Sequence, residues 1–317
     1  MIADEFLIPD RRWEIWKCYS HQEYLDRFFI PGRWHKEVPE KVQEAYISVE
    51  RLFAYSYFYY PLTEEVHSKM TRVFEMAVRI KADQLGITFK KKHASLQDHF
   101  DAFHSKGGFG DDMIPALEMV KNLRNVYAHP KSQMYFGPII YRNVIVIINI
   151  INRLFLLNNE YNQLINKALA LIETMNSFIT GVFVFEGPTK RYLVSRLQPL
   201  LLSPDGESTL WVLDPVLKSF PKTMEGFSSA EPFFMKLKSF TLDGGTIEGV
   251  DLITNTVIRV YPTSKEADLQ TAKRFAEHYA SADLSVKDLH EKIMADAVYD
   301  QMERFVYDEY WNQQGMG

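Results

Sequence analysis

Apolar residues in the first half of the chain recur at helical spacing. Between residues 40 and 60, Val42, Tyr46, Val49 and Phe53 lie three or four positions apart. Side chains at these intervals share one face of an α-helix. The pattern therefore predicts an amphipathic helix that buries this face against other helices.

The next segment contains a second apolar stripe with clear boundary signals. Thr63 is positioned to cap its start, and Gly86 to end it. The stripe predicts a second amphipathic helix, and its apolar members are Val66, Met70, Val73, Ala77 and Ile80.

The most apolar run of the chain spans residues 139–157 and is long enough to cross a bilayer. It also contains Arg142, Arg153 and three asparagines, which are costly in hydrocarbon. We interpret the run as a helix buried in a protein core, and we expect no membrane association.

The pattern changes after Thr180, where short runs rich in Val, Phe and Tyr are separated by Pro and Gly and predict strands. The runs span residues 181–186, 191–202, 208–213, 233–242 and 256–262. From residue 264 onward, helical periodicity returns. The sequence therefore predicts an α+β protein with an N-terminal extension (1–39), an all-α helical bundle (40–180) and a smaller sheet-containing domain with C-terminal helices (181–317).

Composition narrows the functional classes. With a net charge of -5 and a pI near 6.0, the chain is not strongly basic, so a nucleic-acid site must be a local patch. The single cysteine, Cys18, has no intramolecular disulfide partner, and the first residues lack the features of a secretory signal. We expect a reducing compartment and a cytoplasmic location.

Candidate chemistry is concentrated in residues 123–130, Leu-Arg-Asn-Val-Tyr-Ala-His-Pro. Asn125 and His129 are four positions apart and share a helix face, and the long side chain of Arg124 can reach the same cleft. Pro130 disfavours helical geometry at His129, which places this histidine at a helix C-terminus, where the helix dipole favours the imidazolium form.

These residue types suit RNA cleavage without a metal ion. One group must deprotonate the 2′-hydroxyl, another must protonate the leaving oxygen, and a cation must stabilise the charged phosphorane. Arg124 and His129 fit these roles. Because one histidine does not easily serve as both acid and base, a two-fold dimer would complete the site. The alternative is that His129 is only a capping or packing residue.

The segment from Leu123 to Pro130 also resembles the Arg-x4-6-His motif of the HEPN superfamily, including a polar residue directly after the arginine. Upstream, residues 73–87, 95–103 and 116–125 resemble the family's central helices in order and spacing, so the resemblance covers about residues 40–175. It implies a compact helical bundle that dimerises.

In function, the resemblance implies a metal-independent endoribonuclease of a toxin–antitoxin, phage-defence or RNA-processing system, although other members of the family are non-catalytic binding modules. The family often has an acidic residue on the helix before the motif, and Glu75 matches that position. Glu75 also lies in a charged stripe that is equally consistent with a solvated helix face.

Basic residues near the motif are candidates for phosphate contacts. A run of lysines commonly does no more than solvate a loop, and that interpretation stays open here. The predicted RNA-binding residues are Lys90, Lys91, Lys92, Lys121 and Lys131.

No metal or other cofactor is predicted. His93, His99 and His104 are separated by six and five positions, which does not match the four-residue spacing of metal-binding helices. In the C-terminal domain, aspartates beside Gly or Pro are typical of turns and form no catalytic pattern; they are Asp205, Asp214, Asp243 and Asp251.

Our first hypothesis is a homodimeric endoribonuclease that uses Arg124 and His129, with Asn125 orienting the site. Its partners are RNA and an antitoxin or other regulatory protein, and the C-terminal domain senses a trigger or selects the RNA. The alternatives are a non-catalytic HEPN module that binds RNA, a nucleotide or a protein, and an oligomerisation scaffold. A scaffold would bury Arg124 and His129, whereas a binding module requires an exposed basic pocket.

Overall fold

The computed structural model describes residues 7–89, 91, 94–106, 113–128, 139–156, 181–225, 227 and 232–311, with single positions at 163, 166, 167, 169, 170 and 173. The chain forms two compact units, Met1–Tyr161 with Trp311–Gly317 and Asn162–Tyr310. N-terminal helices precede a C-terminal sheet region, so the α+β class predicted from the sequence is confirmed. Residues 174–180, at the predicted domain boundary, lie outside the described residues.

The first unit, which we call the helical unit, consists of helices over its described residues. It begins with a 3-10 helix at Arg11–Trp16. The α-helices that follow are α1 (His21–Phe28), α2 (Glu40–Ser56), α3 (Leu62–Gln84), α4 (Leu96–Ser105), α5 (Ile114–Ala128) and α6 (Ile139–Phe155).

Helix α3 is central to the helical unit and packs against α2, α4, α5 and α6. The predicted apolar face of α2 is confirmed, since all four of its predicted members are buried. On α3, Ile80 is half-buried. The other predicted members of its stripe are fully buried: Val66, Met70, Val73 and Ala77.

The two predicted boundaries of α3 have different outcomes. The predicted Thr63 cap is wrong, because the helix begins at Leu62 with Pro61 as its N-cap, and Thr63 is buried inside the first turn. Gly86 follows the helix with a φ of +61°, a left-handed conformation that glycine adopts without steric cost. The predicted end of the helix is therefore confirmed.

Helix α6 corresponds to the most apolar run, and two asparagines in this run form buried hydrogen bonds with other parts of the helical unit. The Asn152 Oδ1 accepts a hydrogen bond from the backbone N–H of His35 (2.6 Å), and its Nδ2 donates to the backbone oxygen of Arg33 (2.9 Å). The Asn149 Oδ1 accepts from the indole N–H of Trp311 (2.7 Å). Of the helices in the described part of the chain, none has the length and apolar character to span a membrane.

The N-terminal segment contributes to the same core. Trp13 is 1% exposed, and its indole N–H donates to the backbone oxygen of Ser56 at 2.9 Å. Tyr24 is fully buried, and its hydroxyl donates to the backbone oxygen of Phe53 (2.9 Å) and lies 3.2 Å from the Tyr141 hydroxyl. Residues 7–39 therefore pack against both helix α2 and helix α6.

His67 is fully buried on α3. We therefore expect the helical unit to lose stability in acid. Burial lowers the pKa of His67 from 6.5 to about 4, because the charged imidazolium is poorly solvated there. Because His67 takes up a proton at a higher pH in the unfolded state than in the folded state, its contribution to the free energy of unfolding is fully present above about pH 6.5. That contribution falls as the pH drops towards 4. Linkage gives a loss of about 2.5 kcal/mol between pH 7.5 and 4.5.

The measurement is urea denaturation at both pH values for wild type, for His67→Met, which does not titrate, and for His104→Gln as an exposed control. The pH-dependent loss should shrink by about 2.5 kcal/mol in His67→Met alone. An equal loss in all three proteins would show that His67 does not govern the acid response.

The second unit, which we call the barrel unit, contains a closed antiparallel barrel in the order β1-β2-β3-β4-β5-β6, with β1 pairing β6. Its core includes Leu197, Trp211, Met235 and Val260. The strands are β1 (Phe183–Glu186), β2 (Arg191–Leu202), β3 (Ser208–Pro215), β4 (Phe233–Asp243), β5 (Thr246–Asp251) and β6 (Val257–Pro262).

The elements of the barrel unit match most of the predicted segments. Five of the six strands coincide with predicted runs, and β5 is the strand that was not predicted. Gly244 and Gly245 both have positive φ and form the two-residue turn between β4 and β5. The predicted C-terminal helices are confirmed as α7 (Glu266–Ala280) and α8 (Leu284–Phe305), which pack beside β2 and β3.

Candidate functional site

Helix α5 presents the described part of the predicted site. Arg124 and Asn125 come three and four positions after Lys121 on this helix. Side chains at these spacings are neighbours on the helix surface. Arg124 is half-buried and Asn125 is exposed. His129 follows the last residue of α5 in the sequence and lies outside the described residues.

Arg124 is held by Glu75 of the central helix α3. The Arg124 Nε donates to the Glu75 Oε1 at 2.8 Å, and the two side chains are 40% and 20% exposed. The other carboxylate oxygen of Glu75 lies 3.9 Å from the Arg79 Nη2. The acidic residue suggested by the family resemblance is therefore in direct contact with the motif arginine.

The contact leaves part of the guanidinium facing outward. Its Nη1 lies 3.4 Å from the Asn125 Oδ1, which is a long hydrogen bond. A partly exposed ion pair of this kind contributes roughly 0.2–1 kcal/mol to stability. The pair is thus strong enough to orient Arg124, but weak enough for a phosphate to compete for the guanidinium.

The start of helix α4 also contributes to the wall of the site, beside α3 and α5. The Lys121 Nζ donates to the Gln97 Oε1 at 2.6 Å, which joins α5 to α4. His99 is buried, with its Nδ1 2.8 Å from the Ser95 backbone oxygen and its ring 4.6 Å from that of Phe89. The first contact links the start of α4 to the helix that carries Arg124, and the His99 contacts hold α4 against the segment that precedes it.

Residues of α3, α5 and the start of α4 together line a cleft of about 230 Å³. Among the described residues, its charged side chains are the cations Arg79, Lys121 and Arg124 and the carboxylate Glu75, whose formal charges sum to about +2. This is a local basic site in a chain whose overall charge is -5. Its size and sign suit one phosphate group with part of its sugar.

The predicted lysine contacts have different outcomes. Lys121 lines the cleft, whereas the Lys91 Nζ lies 3.1 Å from Asp98 Oδ1, in the capping box at the start of α4. Hydrogen bonds from Ser95 and Lys91 lower the pKa of Asp98 to about 2. Three further predicted contacts lie outside the described residues: Lys90, Lys92 and Lys131.

The structure adds residues that the motif did not indicate. Gln97, His99 and Arg79 reach the cleft from α4 and α3 and are distant from the motif in sequence. The sequence motif did not indicate them, because they become neighbours of Arg124 only through the packing of α3, α4 and α5. Within the described ranges, no group of three His, Cys, Asp or Glu side chains is arranged to hold a metal ion.

A scan of the chain against protein-family models finds no match, and searches of curated proteins and of solved structures also find none. The functional interpretation therefore depends on the geometry of the cleft and on the sequence motif.

Proposed function

We propose that this protein is a metal-independent endoribonuclease that resembles the HEPN type and acts as a homodimer in the cytoplasm. The observation that carries the proposal is the 2.8 Å contact between Glu75 and Arg124 at the mouth of a basic cleft. It provides an oriented, partly exposed guanidinium five positions before His129 in the sequence.

In this proposal Arg124 binds the scissile phosphate. A guanidinium offers paired N–H donors that match two phosphate oxygens, and it stays charged throughout the reaction. Glu75 holds Nε, so the terminal nitrogens are directed to the substrate, while Lys121 contributes positive charge and Asn125 orients the guanidinium. Negative charge that develops on the phosphorane is thereby stabilised.

His129 acts in proton transfer. The 2′-oxygen loses its proton and attacks phosphorus, the bond from phosphorus to the 5′-oxygen breaks, and the 5′-oxygen takes up a proton. The products are a 2′,3′-cyclic phosphate and a 5′-hydroxyl. Two copies of His129, one from each protomer, would divide the base and acid roles.

The barrel unit has no role in this chemistry. We propose that it senses a trigger or selects the RNA, as part of a toxin or phage-defence effector restrained by an antitoxin or other regulatory protein.

A non-catalytic HEPN-like module is the second candidate, and the same cleft supports it. A net positive cleft that holds one phosphate suits binding to RNA or to a nucleotide without any cleavage. The exposure of Arg124 argues against the pure scaffold, which would bury this side chain. The nuclease and the binding module differ in whether the bound RNA is cleaved.

The test is cleavage of a mixed-sequence RNA pool in EDTA by wild type and by Arg124→Ala. We expect wild type to release fragments with 2′,3′-cyclic phosphate ends and Arg124→Ala to be slower by about 100-fold or more, because a donor to the charged oxygens is lost. Arg72→Ala is the matched control, since Arg72 is exposed on α3 and does not line the cleft.

The outcomes separate the candidates. Salt-sensitive RNA binding that is lost in Arg124→Ala, with no cleavage by wild type, would favour the binding module. Equal cleavage by wild type and Arg124→Ala would contradict the proposed active site. Circular dichroism and sedimentation first establish that all three proteins are folded and share one oligomeric state.

A further inference from the structure

The barrel unit contains a cavity that the proposed nuclease does not use. It lies between strands β2 and β3 and the two C-terminal helices α7 and α8, and its volume is about 670 Å³. This volume is within the range of cavities that bind small molecules. Among the apolar residues of its wall are Val212, Leu217, Phe275, Met294 and Val298.

Five polar side chains of the wall form one group, because each interacts with at least one of the others. Arg196 and Asp214 come from the barrel, and Tyr279, His290 and Glu291 come from the helices. The Tyr279 hydroxyl donates to the Glu291 Oε1 at 3.1 Å. The cavity thus combines an apolar body with a polar end, which is the common plan of a site that orients a ligand.

The guanidinium of Arg196 only partly balances Asp214. Its Nη1 lies 3.8 Å from the Asp214 Oδ2, beyond hydrogen-bond distance, while its Nη2 donates to the Gln198 Oε1 at 2.6 Å. The side chain of Arg196 is also 54% exposed, so solvent screens its charge. Asp214 is only 24% exposed and faces the cavity.

The other described side chains of the wall do not supply the positive charge that would balance Asp214. Burial raises the pKa of Asp214, and burial lowers the pKa of His290, so the imidazole favours its neutral form. Glu291 adds a second carboxylate. Counted over the described residues of the wall, the polar end therefore has two carboxylates and one guanidinium, a formal net charge of about -1.

We propose that this cavity binds a small molecule with an aromatic or apolar body and one cationic amino or amidinium group. The body of the ligand lies against Val212, Phe275 and Met294. Its cationic group pairs with the Asp214 carboxylate, which burial has deprived of water. An anionic ligand of the same shape is rejected by the two carboxylates. The inference is independent of the nuclease, since it concerns residues of the barrel unit alone.

The test measures binding to the full-length protein by calorimetry with two matched sets of probes. One set is tryptamine, tryptophol and indoleacetate, and the other is benzamidine, benzamide and benzoate. We expect at least one of the two cations to bind with a stoichiometry of one per chain, and its neutral and anionic counterparts to bind at least tenfold more weakly.

Variants assign that binding to the cavity. Asp214→Asn should weaken the cation at least tenfold, whereas Asp243→Asn, an exposed carboxylate of the same barrel, should have no effect. Ala272→Phe on α7 should fill the cavity and abolish binding, whereas Ala267→Phe, exposed on the same helix and outside the cavity, should not.

Failure of both cations to bind would overturn the proposal. Binding that survives Ala272→Phe, or that is as tight for the anions as for the cations, would also overturn it. None of these results affects the RNA cleavage test, which concerns the helical unit.

Discussion

Replacing His129 with alanine is expected to lower the rate of RNA cleavage in EDTA by about 10²- to 10⁴-fold, the usual contribution of a positioned acid or base. The expectation follows from the proposed chemistry, in which the leaving 5′-oxygen needs a proton and no metal ion replaces it. Guanidinium and ammonium groups are weak acids, so arginine and lysine side chains are poorly suited to give up that proton.

The pH profile supplies a second measurement for His129. If two copies of this histidine act as base and acid, the rate should depend on pH as a bell-shaped curve whose two apparent pKa values belong to the pair. The imidazole would need to be neutral in one protomer and protonated in its partner. A rate that rises steadily with pH would indicate catalysis by hydroxide instead.

The control for His129→Ala is His104→Ala, which removes an exposed histidine from α4 outside the basic cleft. This variant should cleave at the wild-type rate. If both histidine variants retain full activity while Arg124→Ala is inactive, the arginine would be catalytic and the proton would come from another group.

The candidate site shows how far sequence reasoning extends. The motif indicated Arg124 because a cation, an amide and an imidazole are close together in the chain. Glu75 is 49 positions away from Arg124, and its role depended on family resemblance, since periodicity alone was equally consistent with a solvated stripe. Only packing of α3 against α5 brings the carboxylate to 2.8 Å from the guanidinium.

The fold was predictable where a local signal dominates. Helices α2 and α3 follow from apolar spacing, and five strands follow from short runs rich in β-branched and aromatic residues. Strand β5 was missed because Thr246–Asp251 contains two acidic residues and Gly249, so its apolar content is low. Closure of the barrel depends on pairing β1 with β6, a long-range contact with no local pattern.

Asp214 illustrates the same limit in the barrel unit. Its position before a proline is typical of a turn, yet the structure places it near the end of strand β3 and in the wall of a cavity. Its neighbour in the cavity wall, His290, is distant in sequence and belongs to α8. A grouping of this kind arises from topology, so spacing within one element does not reveal it.

Trp211→Ala should destabilise the barrel unit by about 3–5 kcal/mol, the usual cost of removing a large buried aromatic side chain. Trp211 is fully buried on β3, where it pairs with Pro199 of β2 and Met235 of β4. Its ring centroid lies 6.5 Å from that of Phe240. The substitution leaves a cavity at the centre of a closed barrel, whose hydrogen-bonded strands cannot easily move inward to fill it.

Comparison with Trp211→Phe separates packing from hydrogen bonding. The indole N–H of Trp211 is buried with no hydrogen-bond partner among the described residues, and such a group costs roughly 1–3 kcal/mol. Phenylalanine keeps most of the apolar volume and removes this N–H, so we expect Trp211→Phe to cost less than half as much as Trp211→Ala. Val257→Ala, at a side chain that is 53% exposed on β6, is the surface control and should change stability by no more than about 0.5 kcal/mol.

Hydrogen exchange in increasing urea, followed by mass spectrometry on peptides from β2, β3 and β4, measures these effects in the full-length protein without relying on tryptophan fluorescence. The loss of protection should be confined to the barrel unit, because Trp211 contacts the core of that unit. If Trp211→Phe is as destabilising as Trp211→Ala, the volume kept by phenylalanine does not restore stability, and the N–H that both variants lack forms a stabilising hydrogen bond in solution.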